Sequence, residues 1–127
     1  MKTILIVGAS GFIGSNLVQY LRARHKVIAA FNRNVIRYDG LSHFMYVLRD
    51  RDYMKRLLSI IKPEVIIYCA GMNDIVDCFK KPKLSEAINA FGPVVISAAS
   101  DAVPHRFIYL SSAYCYDGVK GNYAEVD

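Results

Sequence analysis

The sequence predicts an α/β protein built on a doubly wound parallel sheet of about five strands. Short runs rich in Val, Ile, Leu, Phe and Tyr alternate with segments of helical periodicity along all 127 residues. Hydrophobic residues make up 54% of the chain, which is typical of parallel strands buried on both faces. Parallel neighbours need crossover connections, so this alternation builds one sheet covered by helices.

Five apolar segments are predicted strands, because each is short and bounded by turn residues or by a helical pattern. They are residues 3–7, 26–31, 44–48, 64–69 and 106–111. Helices are predicted near residues 12–23, 51–62 and 84–100. In the second helix an apolar stripe begins at Met54, and Lys62-Pro63 ends the helix.

Ligands of such sheets bind beyond the carboxyl ends of the strands, at the switch point beside the first strand. The predicted ends are Gly8, Asn32, Arg49-Asp50, Ala70-Gly71 and Ser111-Ser112. We therefore expect the functional residues among these positions.

Three glycines, Gly8, Gly11 and Gly14, directly follow the first strand and precede the first helix. Glycines at this spacing permit a tight turn, close approach of the backbone to a phosphate, and close helix–strand packing. The helix N-terminus adds free N–H groups and a positive dipole end. The pattern predicts dinucleotide binding in a Rossmann-type fold. The other predicted cofactor contacts of this turn are Ser10, Phe12 and Ile13.

The end of the second strand carries Asn32 and Arg33 and lacks an acidic residue. A cofactor with a free ribose 2′-hydroxyl needs an acidic acceptor there, whereas a guanidinium suits a 2′-phosphate. The sequence therefore favours NADP(H), with NAD(H) as the alternative. In the competing interpretation Arg33 is an exposed loop residue without a cofactor role.

Two further strand ends carry candidate cofactor contacts. Asp50 is placed to accept from the adenine amino group, or it or Asp52 is the N-cap of the following helix; both roles are compatible. Ala70 and Gly71, followed by Met72, are small enough to let the chain pass beneath the nicotinamide ribose and diphosphate. An ordinary turn after a strand is the alternative.

Asn89 precedes Gly92-Pro93 inside a helical pattern, which predicts a local distortion of that helix. Its side chain either bridges the freed backbone groups or lies in a plain kink. Strand alternation points one of the two serines Ser111 and Ser112 toward the site, where its hydroxyl can donate a hydrogen bond to a carbonyl undergoing reduction. A Ser-His-Asp nucleophile is not expected, because no G-x-S-x-G turn is present.

Composition excludes several other classes. The net charge is +5, and residues 1–62 hold eleven Lys/Arg against three Asp, but these are scattered without aromatic stacking partners, so nucleic acid is not expected. The three cysteines follow no metal or redox spacing, and free thiols indicate a cytoplasmic protein without metal. Glycine interrupts the first apolar run, which argues against export, and no run approaches the roughly 20 apolar residues of a membrane span.

Several stretches together resemble the extended short-chain dehydrogenase/reductases of the dTDP-4-dehydrorhamnose reductase type. They are Gly8-Ala-Ser-Gly-Phe-Ile-Gly14, Lys62-Pro-Glu-Val-Ile-Ile, Ile75-Val-Asp-Cys with Asn89-Ala-Phe-Gly-Pro93, Tyr109-Leu-Ser-Ser-Ala-Tyr-Cys-Tyr-Asp-Gly118 and Gly121-Asn-Tyr-Ala-Glu-Val-Asp127. The resemblance implies an NAD(P)-binding Rossmann domain over residues 1–127. It also implies hydride transfer to a 4-keto nucleotide sugar, with Ser112 catalytic and with Tyr114 and Asn89 contacting substrate. Ala113 departs from the usual Asp, and Phe79-Lys80 stand where an acidic residue is usual.

The Tyr-x-x-x-Lys pair of this family is expected beyond Ser112, and the one matching spacing, Tyr116 to Lys120, is interrupted by the turn residues Asp117-Gly118. We therefore expect a truncated domain without the C-terminal substrate lobe, inactive by itself. The open alternatives are an NAD-dependent sugar epimerase or dehydratase domain, a non-catalytic NADP-binding regulatory subunit, and a small flavin- or nucleotide-binding module. An exposed sheet edge would favour a homo-oligomer.

Overall fold

The computed structural model of this chain describes residues 1–35, 38–47 and 50–127. Within these residues five parallel strands form one sheet in the order β3-β2-β1-β4-β5. The strands are β1 (Thr3–Val7), β2 (Lys26–Phe31), β3 (Ser42–Met45), β4 (Val65–Tyr68) and β5 (Arg106–Tyr109). The strand order reverses between β1 and β4, so the predicted doubly wound sheet and its switch point are confirmed.

The helices follow the predicted alternation, with more segmentation in the second half of the chain. They are α1 (Phe12–Leu21), α2 (Arg51–Ile61), α3 (Ile75–Lys80), α4 (Pro82–Glu86), a π-helical turn (Ala87–Phe91) and α5 (Gly92–Ser100). None of the helices in the described part of the chain is long and apolar enough to cross a bilayer.

Side-chain alternation along β1 divides the core into two layers. Leu5 and Val7 lie in the layer covered by α2 and α5, where Met54 and Ile96 are fully buried. Ile4, Ile6 and Val18 lie in the opposite layer, beneath α1. Both faces of the central strands are therefore covered, as the high apolar content of the strands predicts.

The largest differences from the prediction concern β3, the helices after β4, and β5, which ends at Tyr109, two residues before its predicted end. β3 begins at Ser42, two residues before the predicted strand, because pairing with β2 holds polar residues of this outer strand in place. The predicted end of that strand at Leu48, and Arg49 beyond it, lie outside the described residues. The sequence analysis also missed α3, whose N-cap Asp74 accepts a hydrogen bond from the Asp77 backbone N–H at 2.8 Å.

Candidate nucleotide-binding site

The turn after β1 brings the ends of three strands into contact at Gly8. Gly8 has φ +83°, and an added Cβ would lie 2.5 Å from the backbone nitrogen of Ala70, at the end of β4. On the other side, the backbone N–H groups of Gly8 and Ala9 both donate to the Ala30 carbonyl of β2, at 2.9 and 3.0 Å. The turn therefore lies at the switch point, with a spacing that only glycine permits.

Gly14 and Gly11 set the position of α1 against this turn. A Cβ on Gly14 would clash with the Gly8 carbonyl oxygen, so the absence of a side chain lets the helix approach the turn closely. Gly11 is the N-cap and provides no side-chain hydrogen bond, and the first turn contains no acidic residue. The N-terminus of α1 is thus open to an anion. Phe12, the first residue of α1, is 88% exposed.

A cavity of about 590 Å³ lies beyond this turn, over the carboxyl ends of β1, β2 and β4. It brings together eight of the predicted cofactor residues: Gly8, Ser10, Gly11, Asn32, Arg33, Ala70, Gly71 and Met72. Its described lining also includes residues that the sequence analysis missed: Asn34, Tyr46, Val47, Cys69, Asp77, Lys81, Leu84, Ala87 and Ile88. The predicted residues Gly14, Ile13 and Phe12 belong to the adjoining helix start instead of the lining.

The wall of the cavity at the end of β2 is basic. Arg33 is exposed there, beside Asn32, whose side-chain amide donates to the Tyr46 carbonyl at 3.4 Å. The opposite wall, formed by α3 and α4, carries Asp77 and Lys81, which pair with each other at 3.8 Å.

Asp50 is the N-cap of α2, which confirms one of its two predicted roles. Its Oδ1 accepts a hydrogen bond from the Tyr53 backbone N–H at 2.8 Å, and Asp52 follows in the first turn. Asp50 does not line the cavity in the described part of the chain. Its contact with adenine therefore stays a prediction.

The predicted distortion near Asn89 is confirmed as a π-helical turn, and it has a local cause. Pro93 has no N–H, so it cannot donate to the Asn89 carbonyl four residues earlier. The Gly92 N–H bonds to Ala87, five residues back, which leaves the Ile88 carbonyl without its helical donor. Two strand tyrosines supply both missing donors.

The donors are the hydroxyls of Tyr68 in β4 and Tyr109 in β5. Tyr68 donates to the Ile88 carbonyl at 2.8 Å, and Tyr109 donates to the Asn89 carbonyl at 3.1 Å. Burial is the main cause that raises the pKa of Tyr68 above its usual value. The phenol therefore stays protonated and remains a donor.

The Asn89 side chain does not bridge the freed carbonyls of its own helix, so that predicted alternative is wrong. Its Oδ1 accepts from the Met72 backbone N–H at 2.8 Å, and its Nδ2 donates to the Met72 carbonyl at 2.9 Å. The amide thereby fixes the loop after β4, which forms the floor of the cavity. A direct contact of Asn89 with a substrate stays a prediction.

The predicted catalytic residue lies past the end of β5, the strand next to β4. The Ser112 hydroxyl accepts a hydrogen bond from the Tyr114 backbone N–H at 3.3 Å and begins a short 3₁₀ turn, Ala113–Cys115. The Tyr114 side chain projects into solvent. Neither residue lines the described cavity, so their assignments stay predictions.

Tyr116 and Lys120 do not share a helical face, as their intervening turn predicts. Gly118 between them has φ +78°. Tyr116 stacks on Tyr123 with ring centroids 4.4 Å apart, while the Lys120 ammonium pairs with the Asp127 carboxylate. That hydrogen bond from Lys120 is the main cause that lowers the pKa of Asp127.

The three cysteines are free, with Cys69 and Cys78 half-buried and Cys115 exposed. Burial raises the pKa of the Cys69 thiol to about 11, so this cavity-lining thiol is neutral at pH 7. In residues 1–35, 38–47 and 50–127, no group of three or more His, Cys, Asp and Glu residues is placed to hold a metal ion.

Known proteins similar to this chain include reductases and a subunit of a transferase. A probable low-salt glycan biosynthesis reductase, Agl14, of Haloferax volcanii is 29% identical over 96% of this chain and 41% of its own length. The methionine adenosyltransferase 2 subunit beta of Xenopus laevis is 30% identical over 98% of this chain and 36% of its own length. This chain thus spans about two fifths of the relatives it matches.

Structural similarity leads to the same group. A crystal structure of a hypothetical dTDP-4-dehydrorhamnose reductase from Sulfolobus tokodaii superposes with a TM-score of 0.88 at 33% identity, covering all of this chain and 45% of that one. The predicted resemblance to the dTDP-4-dehydrorhamnose reductase type, with its NAD(P)-binding Rossmann fold, is thereby confirmed. The sequence model of the RmlD substrate binding domain matches residues 1–127. This chain belongs to the RmlD substrate binding domain family.

Proposed function

We propose that this chain is the NADP(H)-binding domain of a nucleotide-sugar reductase. The observation that carries the proposal is the crowded glycine turn at Gly8, which opens onto a cavity walled by Arg33. The reductase names of similar proteins, among them a hypothetical dTDP-4-dehydrorhamnose reductase, support a sugar attached to a nucleoside diphosphate as substrate.

The start of α1 would hold the cofactor diphosphate. Its N-cap and first turn provide backbone N–H groups and a positive dipole end, with no side-chain cap or carboxylate competing for that position. Gly8 and Gly14 remove the side chains that would separate this helix start from the strand ends. Ser10, Phe12 and Ile13 contribute from the same turn.

Arg33 would select the phosphorylated cofactor. A 2′-phosphate offers a guanidinium two charge-assisted hydrogen bonds, whereas a 2′-hydroxyl needs an acidic acceptor. The neighbours of Arg33 on the cavity wall, Asn32 and Asn34, are neutral amides. Asp50 has a second carboxylate oxygen, beyond the one bonded to Tyr53, to accept from the adenine amino group.

The nicotinamide end would lie over Ala70 and Gly71, on the loop that Asn89 fixes through Met72. When bound there, NADPH would supply the hydride that reduces the 4-keto carbon of the sugar, and the tyrosine of a Tyr-x-x-x-Lys pair would supply the proton for the carbonyl oxygen. The Ser112 hydroxyl donates a hydrogen bond to the carbonyl oxygen, and Tyr114 contacts the sugar. No helix in the described part of this chain carries a Tyr-x-x-x-Lys pair, so we expect these 127 residues alone to bind cofactor without turnover.

Titration of the 127-residue chain with NADPH and NADH tests the proposal. We expect tighter binding of NADPH, and the Arg33→Gln variant should lose about tenfold in NADPH affinity while NADH affinity stays unchanged. Arg24→Gln is the matched control, because Arg24 lies outside the described cavity lining. Equal affinities of the unmodified chain for both nucleotides would refute the NADP preference, and tighter NADH binding would favour the epimerase or dehydratase alternative. If the backbone amide resonances of Gly8 to Gly14 do not shift with millimolar amounts of either nucleotide, dinucleotide binding itself is refuted.

A second candidate function is a non-catalytic NADP-binding subunit. The similarity to the methionine adenosyltransferase 2 subunit beta over 98% of this chain favours it. Size-exclusion chromatography with a methionine adenosyltransferase catalytic chain distinguishes the two candidates. Co-elution that depends on NADPH favours the subunit, and separate elution removes its support.

A further inference from the structure

Lys81 and Asp77 form an ion pair on the wall of the cavity opposite Arg33. The ammonium lies 3.8 Å from Asp77 Oδ1, and the two side chains are 58% and 54% exposed. Both residues line the cavity together with Gly8 and Gly11. The proposed contacts of the cofactor leave this pair without a role.

We propose that Lys81 binds a phosphate group of the nucleotide in this cavity, exchanging the Asp77 carboxylate for the phosphate. The inference rests on the proposed function, because it needs a nucleotide to be bound there. It adds a second cation, on the helical wall, to the one that Arg33 provides at the end of β2.

The existing pair is suited to exchange because it is weak. At 3.8 Å the two charged groups are too far apart for a good hydrogen bond. Exposed pairs of this kind contribute little to folding stability, since water and salt screen them. A phosphate held at the start of α1 offers the ammonium more negative charge than one carboxylate does.

The backbone of Lys81 is fixed while its side chain is free to move. Its N–H donates to the Asp77 carbonyl at 2.9 Å, and its carbonyl accepts from the N–H groups of Leu84 and Ser85 at 3.0 Å. Lys81 is both the C-cap of α3 and the N-cap of α4, and Pro82 follows it at the first position of α4. The junction therefore holds the base of a long, flexible cation at the cavity rim.

Lys81 differs from the neighbouring lysines in its position, because its side chain lines the cavity. Lys80 and Lys83 are close to it in the sequence, are exposed, and do not belong to the described lining of the cavity. They give matched controls of identical chemistry, one at the end of α3 and one in α4.

The test is a double-variant cycle in the 127-residue chain: Lys81→Gln, Asp77→Asn, and both together. Each variant is titrated with NADPH, NADH and thymidine diphosphate at about 20 mM and about 150 mM salt. We expect Lys81→Gln to weaken binding by about three- to tenfold, more at low salt, and Asp77→Asn to strengthen it by about twofold. Lys81→Gln should weaken binding in the Asp77→Asn background as well, because the ammonium then contacts the phosphate itself. Lys80→Gln and Lys83→Gln should have no such effect.

The choice of ligands distinguishes the source of the phosphate. Equal losses for NADPH and NADH assign Lys81 to the cofactor diphosphate, and a loss for thymidine diphosphate alone assigns it to the substrate; either result supports the proposal. Unchanged affinities in Lys81→Gln, with normal NADPH binding by the unmodified chain, overturn it and leave the proposed function intact. A loss that vanishes in the Asp77→Asn background also overturns it, because Lys81 would then only neutralise Asp77. Equal losses in the Lys80 and Lys83 controls do the same.

Discussion

Replacing Gly8 with alanine should destabilise the fold through two separate strains. The first is conformational: Gly8 has φ +83°, a region that a residue with a Cβ rarely adopts. The second is steric: the new Cβ would meet the Ala70 nitrogen at 2.5 Å and the Ala70 Cα at 2.7 Å. Both contacts are with backbone, which cannot rotate away as a side chain can.

The size of the effect follows from these two terms. A non-glycine residue at positive φ costs roughly 1–2 kcal/mol. Forcing an extra methyl group into a packed interior costs roughly 1–3 kcal/mol more. We therefore expect Gly8→Ala to lower the free energy of unfolding by about 2–5 kcal/mol, a large fraction of the total for a domain of this size.

Gly40→Ala is the matched control, because it separates the two terms. Gly40 has φ +72°, and an added Cβ there would meet no atom within 4 Å. It should lose only the conformational term, roughly 1–2 kcal/mol. The entropy that alanine removes from the unfolded chain is the same in both variants and cancels between them.

Urea unfolding followed by circular dichroism measures both free energies. Gly8→Ala should unfold at the lower urea concentration, with an unchanged slope if the native state keeps its compactness. The free energies of mutational changes add only to within about 0.5 kcal/mol. If the two variants lose equal free energies of unfolding within that margin, the close approach of the first turn to β4 is refuted.

Two further outcomes are expected. Asn89→Ala removes two hydrogen bonds to the Met72 backbone, so it should lower the free energy of unfolding by about 1–3 kcal/mol. It should also weaken nucleotide binding, because the loop after β4 is no longer held in place. An unchanged midpoint of urea unfolding would contradict this prediction. Cys69 has its pKa raised from 9.0 to about 11 by burial, so its contribution to stability is complete below pH 9 and is lost as the pH rises towards 11. Cys69→Ala should therefore show a shallower alkaline decline of the urea midpoint between pH 8 and pH 11, and an identical slope would exclude this contribution.

The sheet and the glycine turn could be predicted because their signals are local. Apolar runs such as Thr3–Val7 are typical of strands buried on both faces. Three glycines within seven residues, directly after such a strand, are typical of a tight turn that packs closely against neighbouring backbone. β3 was placed less well, because its start at Ser42-His43 is polar and depends on pairing with Ile28 and Ala29. A strand that is stabilised mainly by hydrogen bonds to its neighbouring strand shows only a weak hydrophobic pattern in its own sequence.

The helical wall of the cavity could not be predicted from local patterns. Asp77 and Lys81 lie about seventy residues from Gly8 along the chain, and they reach the same cavity only because the fold brings α3 against the loop that follows β4, where Cys78 contacts the Met72 carbonyl. The signals for those helices were present, namely the N-cap Asp74 and Pro82 at the start of α4. Even with the helices assigned, nothing in the sequence spacing indicates which of the neighbouring lysines faces the cavity.

The region around Asn89 shows how a local defect in a helix becomes a constraint on the site. Pro93 removes one helical donor and the π-helical turn displaces another, so two carbonyls depend on the hydroxyls of Tyr68 and Tyr109. These tyrosines belong to β4 and β5, and they therefore fix the distorted turn relative to the sheet. Because the turn is fixed, the Asn89 amide is held where it bonds both backbone groups of Met72. The loop after β4 is therefore positioned in two steps: the strand tyrosines fix the π-helical turn, and Asn89 of that turn fixes Met72 of the loop. Because Pro93 removes a helical donor, it leaves a carbonyl free to bond to the sheet and so contributes to this arrangement.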